Sequence, residues 1–365
     1  MSIILLFDFV RQIENTAIPS IEEVLSSVRT PTAYNLCKAV HSRISCSLLR
    51  CIFNPDHLCG ADIGPKKKVN WSSLTYICDA ADAFYGSRMP ITILGDFHQL
   101  CVNYPVADRN ARKKSSQRHN KGIHYTAAPL VDYIVFQTLT RAFHKLEPQQ
   151  VQQLRILDPS CGCGAFLIAA FRYILMWFKN RYSSKQQSLS LNPQEILGLL
   201  KSMIFGTDID ERAIERARRL LLLSVWIHYM NSAVSKSDVQ SLSCPNLSEN
   251  IVCTDFLRDH SNDSERPPLM DKPFNVIFGG PPFVRVQELY KSSPELADDY
   301  KRRFQTARSG QFDLYMLFIE KSIELLADEG HLSMSVSSSF LRSQTGQGVL
   351  HVCRYKSCSP YRKIK

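Results

Sequence analysis

Phe274 to Phe283 reads F-N-V-I-F-G-G-P-P-F, and no other stretch restricts the fold of this chain so strongly. The apolar run of Phe274, Val276, Ile277 and Phe278 fits a buried strand, and two glycines, two prolines and an aromatic ring stop it. That grammar builds a rigid turn at the carboxyl end of a strand, where open α/β sheets bind their ligands. Carbonyls next to proline are not absorbed into a helix or a ladder, so they stay available to a ligand's donors. The ring beside them offers a stacking platform to a flat group such as an extruded base.

A second turn stands upstream, L-D-P-S-C-G-C-G-A-F-L from Leu157 to Leu167. Ile156 and Leu157 end a short apolar strand, and Gly162 and Gly164 let the backbone turn tightly against a ligand. An apolar helix from Ala165 to Phe178 comes next. Strand patterns at Arg155–Asp158, Ile204–Ile209, Asn250–Thr254, Phe274–Phe278 and His331–Ser337 alternate with helical ones, such as Glu211–Met230 and Leu314–Leu326. Alternation of this kind predicts an α/β fold with a doubly wound, mostly parallel sheet.

Composition narrows the class. A chain of 365 residues can bury one large core plus an appendage. Lys plus Arg number 44 against 34 acids, a net charge of +10 that favours a polyanionic partner, although a merely basic surface gives the same sum. The 12 cysteines form no C-x-x-C pair, so neither a zinc site nor a disulfide scaffold is signalled, and a reducing cytoplasm is expected. Cys161 and Cys163 read as small packing residues of the turn; no metal site is expected. The apolar start M-S-I-I-L-L-F-D-F-V lacks a basic n-region and is interrupted by Asp8, which argues against a signal peptide or a membrane span.

The chain reads as three regions. Residues 1–105 form a mainly helical region of unknown role, in which Leu36, Val40, Ile44 and Leu48 recur at helical spacing within about Thr32–Phe53. Residues 106–348 form the catalytic α/β domain, and 349–365 an irregular basic tail. Between the first two lies a dense charge run, Arg109, Arg112, Lys113, Lys114, Arg118 and Lys121, which suits phosphate contact and a solvated connector equally.

The two turns and their surroundings resemble the adenine-specific DNA methyltransferases that accompany, or are fused to, type II restriction enzymes. That family carries D-P-x-C-G-x-G-x-F followed by N-P-P-Y or N-P-P-F. The resemblance covers roughly residues 120–348, and its pieces arrive in the family's order. G-I-H-Y-T-A-A-P-L-V-D-Y-I-V (Gly122 to Val135) matches the opening Y-T-P motif, with Ala127 where proline is usual. The glycine turn, F-G-T-D-I-D (Phe205 to Asp210), C-T-D-F-L (Cys253 to Leu257), G-P-P-F and F-D-L-Y-M-L-F-I-E (Phe312 to Glu320) come next.

The resemblance implies a Rossmann-like sheet that binds S-adenosylmethionine (SAM) and transfers its methyl group to the exocyclic nitrogen of a flipped-out adenine in double-stranded DNA. Asp158, Ser160, Gly162 and Gly164 would meet the methionine part of SAM, and a carboxylate suits its ammonium group. Asp208 would accept the ribose hydroxyls, Ile209 would wall the adenine, Asp255 would accept its amino group and Phe256 would pack on its ring. Tyr125 and Thr126 would close over the cofactor from the far side. Asp210 reads as a helix cap instead. Gly280, Pro281, Pro282 and Phe283 would form the catalytic turn.

At one position the chain departs from the pattern. Gly280 stands where the family has asparagine, so one of the two acceptors that orient the target amine is missing from that side chain. Loss of a comparable preorganised group costs about 10² to 10³ in rate, and severely reduced turnover is expected. The chain also ends soon after Arg342, without the hairpin and target recognition domain of the family, which suggests truncation, an exposed sheet edge and lost sequence reading. Lys301, Arg302, Arg303 and Arg308 would remain to touch phosphates, although a solvated helix face explains them nearly as well. The alternatives are an inactive remnant that holds SAM or DNA, and a methyltransferase acting on protein glutamine or RNA amines. A nicotinamide enzyme is disfavoured because Leu167 stands where the third glycine of its turn would be. A restriction or specificity partner is a further expectation.

Overall fold

The computed structural model describes residues 126–183, 191–230, 245–259, 266–308, 311–337 and 348–350. The helix expected at Thr32–Phe53, the charge run at 109–121, Tyr125 and most of the tail therefore lie outside the described residues. The chain divides into two compact units. One comprises Met1–Tyr104, Asn192–Leu197 and Arg219–Pro245; the other comprises Pro105–Leu191, Gly198–Arg218 and Asn246–Lys365. Within the first unit, Asn192 and Glu195 exchange side-chain to backbone hydrogen bonds of 2.7 and 2.9 Å, a reciprocal cap on a helix start.

The second unit holds the sheet. In chain order the described elements are α1 (Ala128–Ala142), α2 (Pro148–Val151), β1 (Ile156–Asp158), α3 (Ala165–Ser183), α4 (Pro193–Met203), β2 (Ile204–Asp208), α5 (Glu211–Met230), β3 (Ile251–Cys253), β4 (Phe274–Gly279), α6 (Val286–Ser292), α7 (Pro294–Arg303), α8 (Leu314–Leu325) and β5 (Leu326–Met334). The strands lie in the order β3-β2-β1-β4-β5, and every pairing is parallel. The doubly wound parallel sheet expected from the alternating pattern is therefore the fold observed.

Adjacent strand residues point to opposite faces, and this chain covers both. Leu157 and Ile277 face a core built with Phe256, Phe304, Tyr315, Phe318 and Ile319, which come from the β3–β4 connection, the end of α7 and α8. Phe278, one residue on, stacks on Phe166 of α3 with ring centroids 5.8 Å apart. On that side α1 packs along α3, and Phe143 meets Tyr173 and Trp177 edge to face. Burial on both faces explains why β1 and β4 read as apolar runs rather than alternating ones.

β5 differs from its expected span. It begins at Leu326 rather than His331, with a register shift on its partner between Phe274 and Val276 and with Glu329 at φ 59°. The segment Leu326–Gly330 carries Asp328 and Glu329 and has no strand periodicity; Leu326 pairs with Phe274, and regular pairing with β4 resumes only at His331.

Candidate functional site

The order β3-β2-β1-β4-β5 reverses direction between β1 and β4, and both motif turns leave the sheet at the carboxyl ends of those two strands. Such a switch point opens a crevice in which α/β sheets bind ligands. The two turns lie against each other. A Cβ at Gly279 would come 2.5 Å from Asp158 Oδ1, so only glycine lets the end of β4 pass the acid at the end of β1.

Asp158 is 1% exposed and accepts a hydrogen bond of 3.0 Å from the Ser160 N–H. Burial pushes its carboxyl up to about 8, the Ser160 bond pulls back, and the neighbouring Asp208 adds to the rise. The Ser160 hydroxyl is buried without a partner among the described residues. Gly162 and Gly164 both take positive φ, 51° and 88°, which most side chains resist. A Cβ at Gly164 would also stand 3.2 Å from Ala217 Cβ, so the turn sits close on α5.

Asp208 ends β2 and ties the loops together. Its Oδ2 accepts from the Gly162 N–H and its Oδ1 from the Asp210 N–H, both at 2.9 Å. Burial raises its carboxyl, while those two bonds counter the rise. Asp210 caps α5 through a 2.9 Å bond from the Arg212 N–H, as expected. Ile209 between them is 67% exposed and presents apolar surface just past the carboxyl end of β2.

The third acid is engaged differently. Asp255 Oδ1 accepts from the Leu257 N–H at 2.9 Å. The Tyr300 phenol is raised first by burial and then by Asp255 beside it. Phe256 is 1% exposed and its ring stacks on Phe318 at 5.3 Å, which makes it a wall of the core. Lys321 of α8, which no motif in the sequence singles out, lies 5.5 Å over that ring and donates to the Arg258 carbonyl at 2.7 Å. Burial pushes its ammonium down to about 8, helped by Arg303.

The G-P-P-F turn is held from behind. The Leu314 N–H donates to the Val284 carbonyl at 2.8 Å and the Val286 N–H to the Phe312 carbonyl at 3.0 Å, which fastens the turn to the start of α8. Among the described residues the carbonyls of Gly280 and Pro281 accept no backbone hydrogen bond. Phe283 is half-buried, with its ring 5.8 Å from that of Tyr315. Thr126, just before α1, comes to the same turn: a Cβ at Gly280 would stand 2.7 Å from Thr126 Oγ1.

The cysteines of the first turn behave as packing residues. Cys161 is 5% exposed, and a Cβ at Gly206 would stand 3.0 Å from its sulfur. Burial pushes the Cys163 thiol up to about 12, so in the free protein it is a neutral thiol. No cluster of three or more metal-ligating side chains occurs among the described residues. No described helix is long and apolar enough to cross a membrane. Of the basic residues near α7, Arg303 is committed to Asp299 at 2.7 Å and to the Leu257 carbonyl at 2.9 Å, and Lys301 lies 4.7 Å over the Tyr290 ring.

Comparison with known proteins agrees with this geometry. The family model of the Eco57I restriction-modification methylase matches residues 202–355, and that of an RMKL-like methyltransferase domain matches residues 135–256. The type II restriction enzyme and methyltransferase RM.Eco57I of Escherichia coli is 25% identical over 298 residues, covering 76% of this chain and 30% of its own length. The type II methyltransferase M.BstVI of Geobacillus stearothermophilus is 29% identical over 226 residues, covering 62% of this chain and 35% of its own. The chain thus spans about a third of the length of these curated relatives. Among solved structures, the Type IIL restriction-modification enzyme MmeI in complex with DNA superimposes with a TM-score of 0.61 at 16% identity, over 97% of this chain and 49% of that one. This last likeness is one of fold, a Rossmann-like, mostly parallel sheet. Over these matched residues the chain is similar to a restriction-modification methylase model and to curated type II restriction-modification methyltransferases.

Proposed function

We propose that this chain carries the catalytic part of a SAM-dependent DNA methyltransferase that modifies the exocyclic amine of adenine within a restriction-modification system. The observation that carries the proposal is the meeting of the Asp158–Gly164 and Gly280–Phe283 turns at the β1/β4 switch point. The residues present fit the cofactor. Among the described residues, Asp158 is a buried carboxyl with no counter-cation, and Ser160 is a buried hydroxyl with no partner. An ammonium group and a polar ligand atom would satisfy both.

SAM bound here would supply a methyl group activated by its sulfonium charge. Asp158 would hold the ammonium, and the glycine turn would let the backbone approach the chain of the methionine. Asp208, which already fixes the turn through Gly162, keeps further lone pairs for ribose hydroxyls. Ile209 would lie under the adenine of the cofactor. Asp255 and Phe256 would act from the edge of that pocket, as a polar stop and a packed wall. Tyr125 and Thr126 would close the far side.

On the substrate side, the carbonyls of Gly280 and Pro281 would accept from the target amine while Phe283 stacks on the flipped base. The turn then positions the nitrogen for in-line attack without a covalent enzyme intermediate. The net charge of +10 favours duplex DNA as the carrier of that base.

The test is transfer of radiolabelled methyl from SAM to unmethylated duplex DNA by the full chain, with mass-spectrometric identification of the modified base. Label in N6-methyladenine is the expected result. Label only after Gly280→Asn would assign a silenced enzyme, and label in neither would favour a SAM-holding or DNA-holding remnant. Label on protein glutamine or on RNA would move the substrate class.

A further inference from the structure

Arg285 stands two residues beyond Phe283, so at most about 7 Å of chain separates the two positions. Its neighbours Val284 and Val286 are buried, whereas Arg285 is exposed. The backbone here is tied on both sides. The Val284 carbonyl accepts from the Leu314 N–H at 2.8 Å, and the Val286 N–H donates to the Phe312 carbonyl at 3.0 Å. The Arg285 carbonyl accepts from the Glu288 and Leu289 N–H groups at 2.9 and 3.1 Å. The first two bonds flank an antiparallel bridge in which Arg285 lies opposite Asp313. A pair of that kind carries no bonds of its own and sends both side chains from one face. The guanidinium itself is uncommitted: among the described residues it makes no hydrogen bond or ion pair and feels only the charge of Asp313 across the bridge. Burial raises the half-buried Asp313 carboxyl, Arg285 opposes that rise, and Glu288 on the first turn of α6 adds to it. Arg303, by contrast, is already bonded to Asp299 and to the Leu257 carbonyl.

We infer that Arg285 grips the backbone phosphate beside the flipped-out nucleotide and so holds the strand while the base lies on Phe283. The inference rests on the methyltransferase function proposed above. An extruded nucleotide keeps its phosphates one sugar away from its base, so the group that meets them must stand within a residue or two of the ring that meets the base. Arg285 meets that condition with a backbone fixed at both neighbours. A guanidinium carries five N–H donors in a planar fork, and a phosphate takes two of them side by side. Asp313 opposite can steady one edge of the fork and leave the other free. The contact belongs to the strand being modified and reads no sequence, so it positions without specifying.

The experiment uses the full chain, with SAM affinity measured by calorimetry and methyl transfer measured on duplexes that carry the site found modified in unmethylated DNA. Arg285→Gln should lower kcat/KM for DNA by roughly 10- to 100-fold, the range of a lost charge-assisted hydrogen bond, with SAM affinity within about twofold of the parent. Arg285→Lys, a charge without the fork, should fall between the two. A neutral methylphosphonate replacing the phosphate on one side of the target adenine should cost the parent a similar factor and cost Arg285→Gln nothing further, because both changes remove one contact. Losses that multiply at both flanking phosphates would overturn the inference, as would an Arg285→Gln chain as active as the parent. A fall in SAM affinity that accounts for the loss would assign Arg285 to the carboxylate of the cofactor and overturn it too. So would a lowered denaturant midpoint with activity lost only in proportion to the unfolded fraction, which would make Arg285 a structural partner of Asp313. In each of these cases the proposed function stands. If the parent is silent and Gly280→Asn transfers, the same series is read in that background; silence of both on DNA overturns the proposed function, and the inference with it.

Discussion

Asp158 is the residue whose chemistry is most altered by the fold. Its carboxyl is raised to about 8 because burial penalises the charge, so at neutral pH it is mostly protonated in the free protein. A ligand cation that selects the carboxylate must displace that proton, so by linkage SAM should bind more tightly as pH rises toward 8. We expect affinity to climb by close to tenfold per unit between about pH 6 and 7.5, with release of about one proton, detected by calorimetry in buffers of different ionisation enthalpy. Asp158→Asn should flatten the slope and abolish the proton release. A flat slope in the parent would show that Asp158 does not meet the cation. For stability the sign is reversed: the native state holds a proton that the unfolded chain gives up, so this group destabilises the fold progressively as pH rises from about 4 to about 8.

At the scale of elements, the glycine turn between β1 and α3 is constrained by more than one contact. Gly164 has φ 88° and faces Ala217 of α5 at 3.2 Å, whereas Gly162 has φ 51° and open space around its Cβ position. Gly164→Ala should therefore lower stability by about 1–3 kcal/mol, and Gly162→Asn by less, since asparagine tolerates the left-handed region. Denaturant midpoints of the two variants would check the order. The α7–α8 junction depends on Glu320, 3% exposed, which accepts from the Gln305 and Thr306 N–H groups at 2.8 and 2.9 Å and from the Thr306 hydroxyl at 2.7 Å. Glu320→Ala would strand three donors around a buried space, and a loss of about 2–4 kcal/mol is expected in the same measurement. Elements differed in how plainly the sequence announced them. β1 and β4 were legible because both of their faces are covered, which leaves a plain apolar run. The start of β5 was not, since Leu326–Gly330 carries acids and a positive φ and meets β4 only at Leu326 before the register shift.

For the whole molecule, the net charge of +10 bears on the proposed substrate. Binding of the full chain to duplex DNA should weaken steeply with salt, log K falling with a slope of about −0.9 for each phosphate neutralised. A slope near zero would remove duplex DNA as the partner. Arg303 is committed to Asp299 and Leu257, so Arg303→Ala should chiefly affect stability; Arg302, with its side chain 76% exposed, is the better probe of phosphate contact. Lys301→Ala or Arg302→Ala should each reduce the slope by about one unit only if that side chain touches a phosphate.

Local pattern sufficed for the alternation of strands and helices, the parallel sheet, and the two turns that end β1 and β4, because each is written in apolar period and in glycine or proline. It was silent on what those turns approach. That Asp208 pins Gly162, that Phe256 stacks on Phe318, and that Asp255 is shared with Leu257 and Tyr300 depend on contacts between distant positions. The same holds for Thr126 and Gly280. A missing side chain at 280 is visible in the sequence. That the Thr126 hydroxyl lies beside that position is visible only in the fold, because the packing of α1 beside β4 is decided by the whole core and not by either segment.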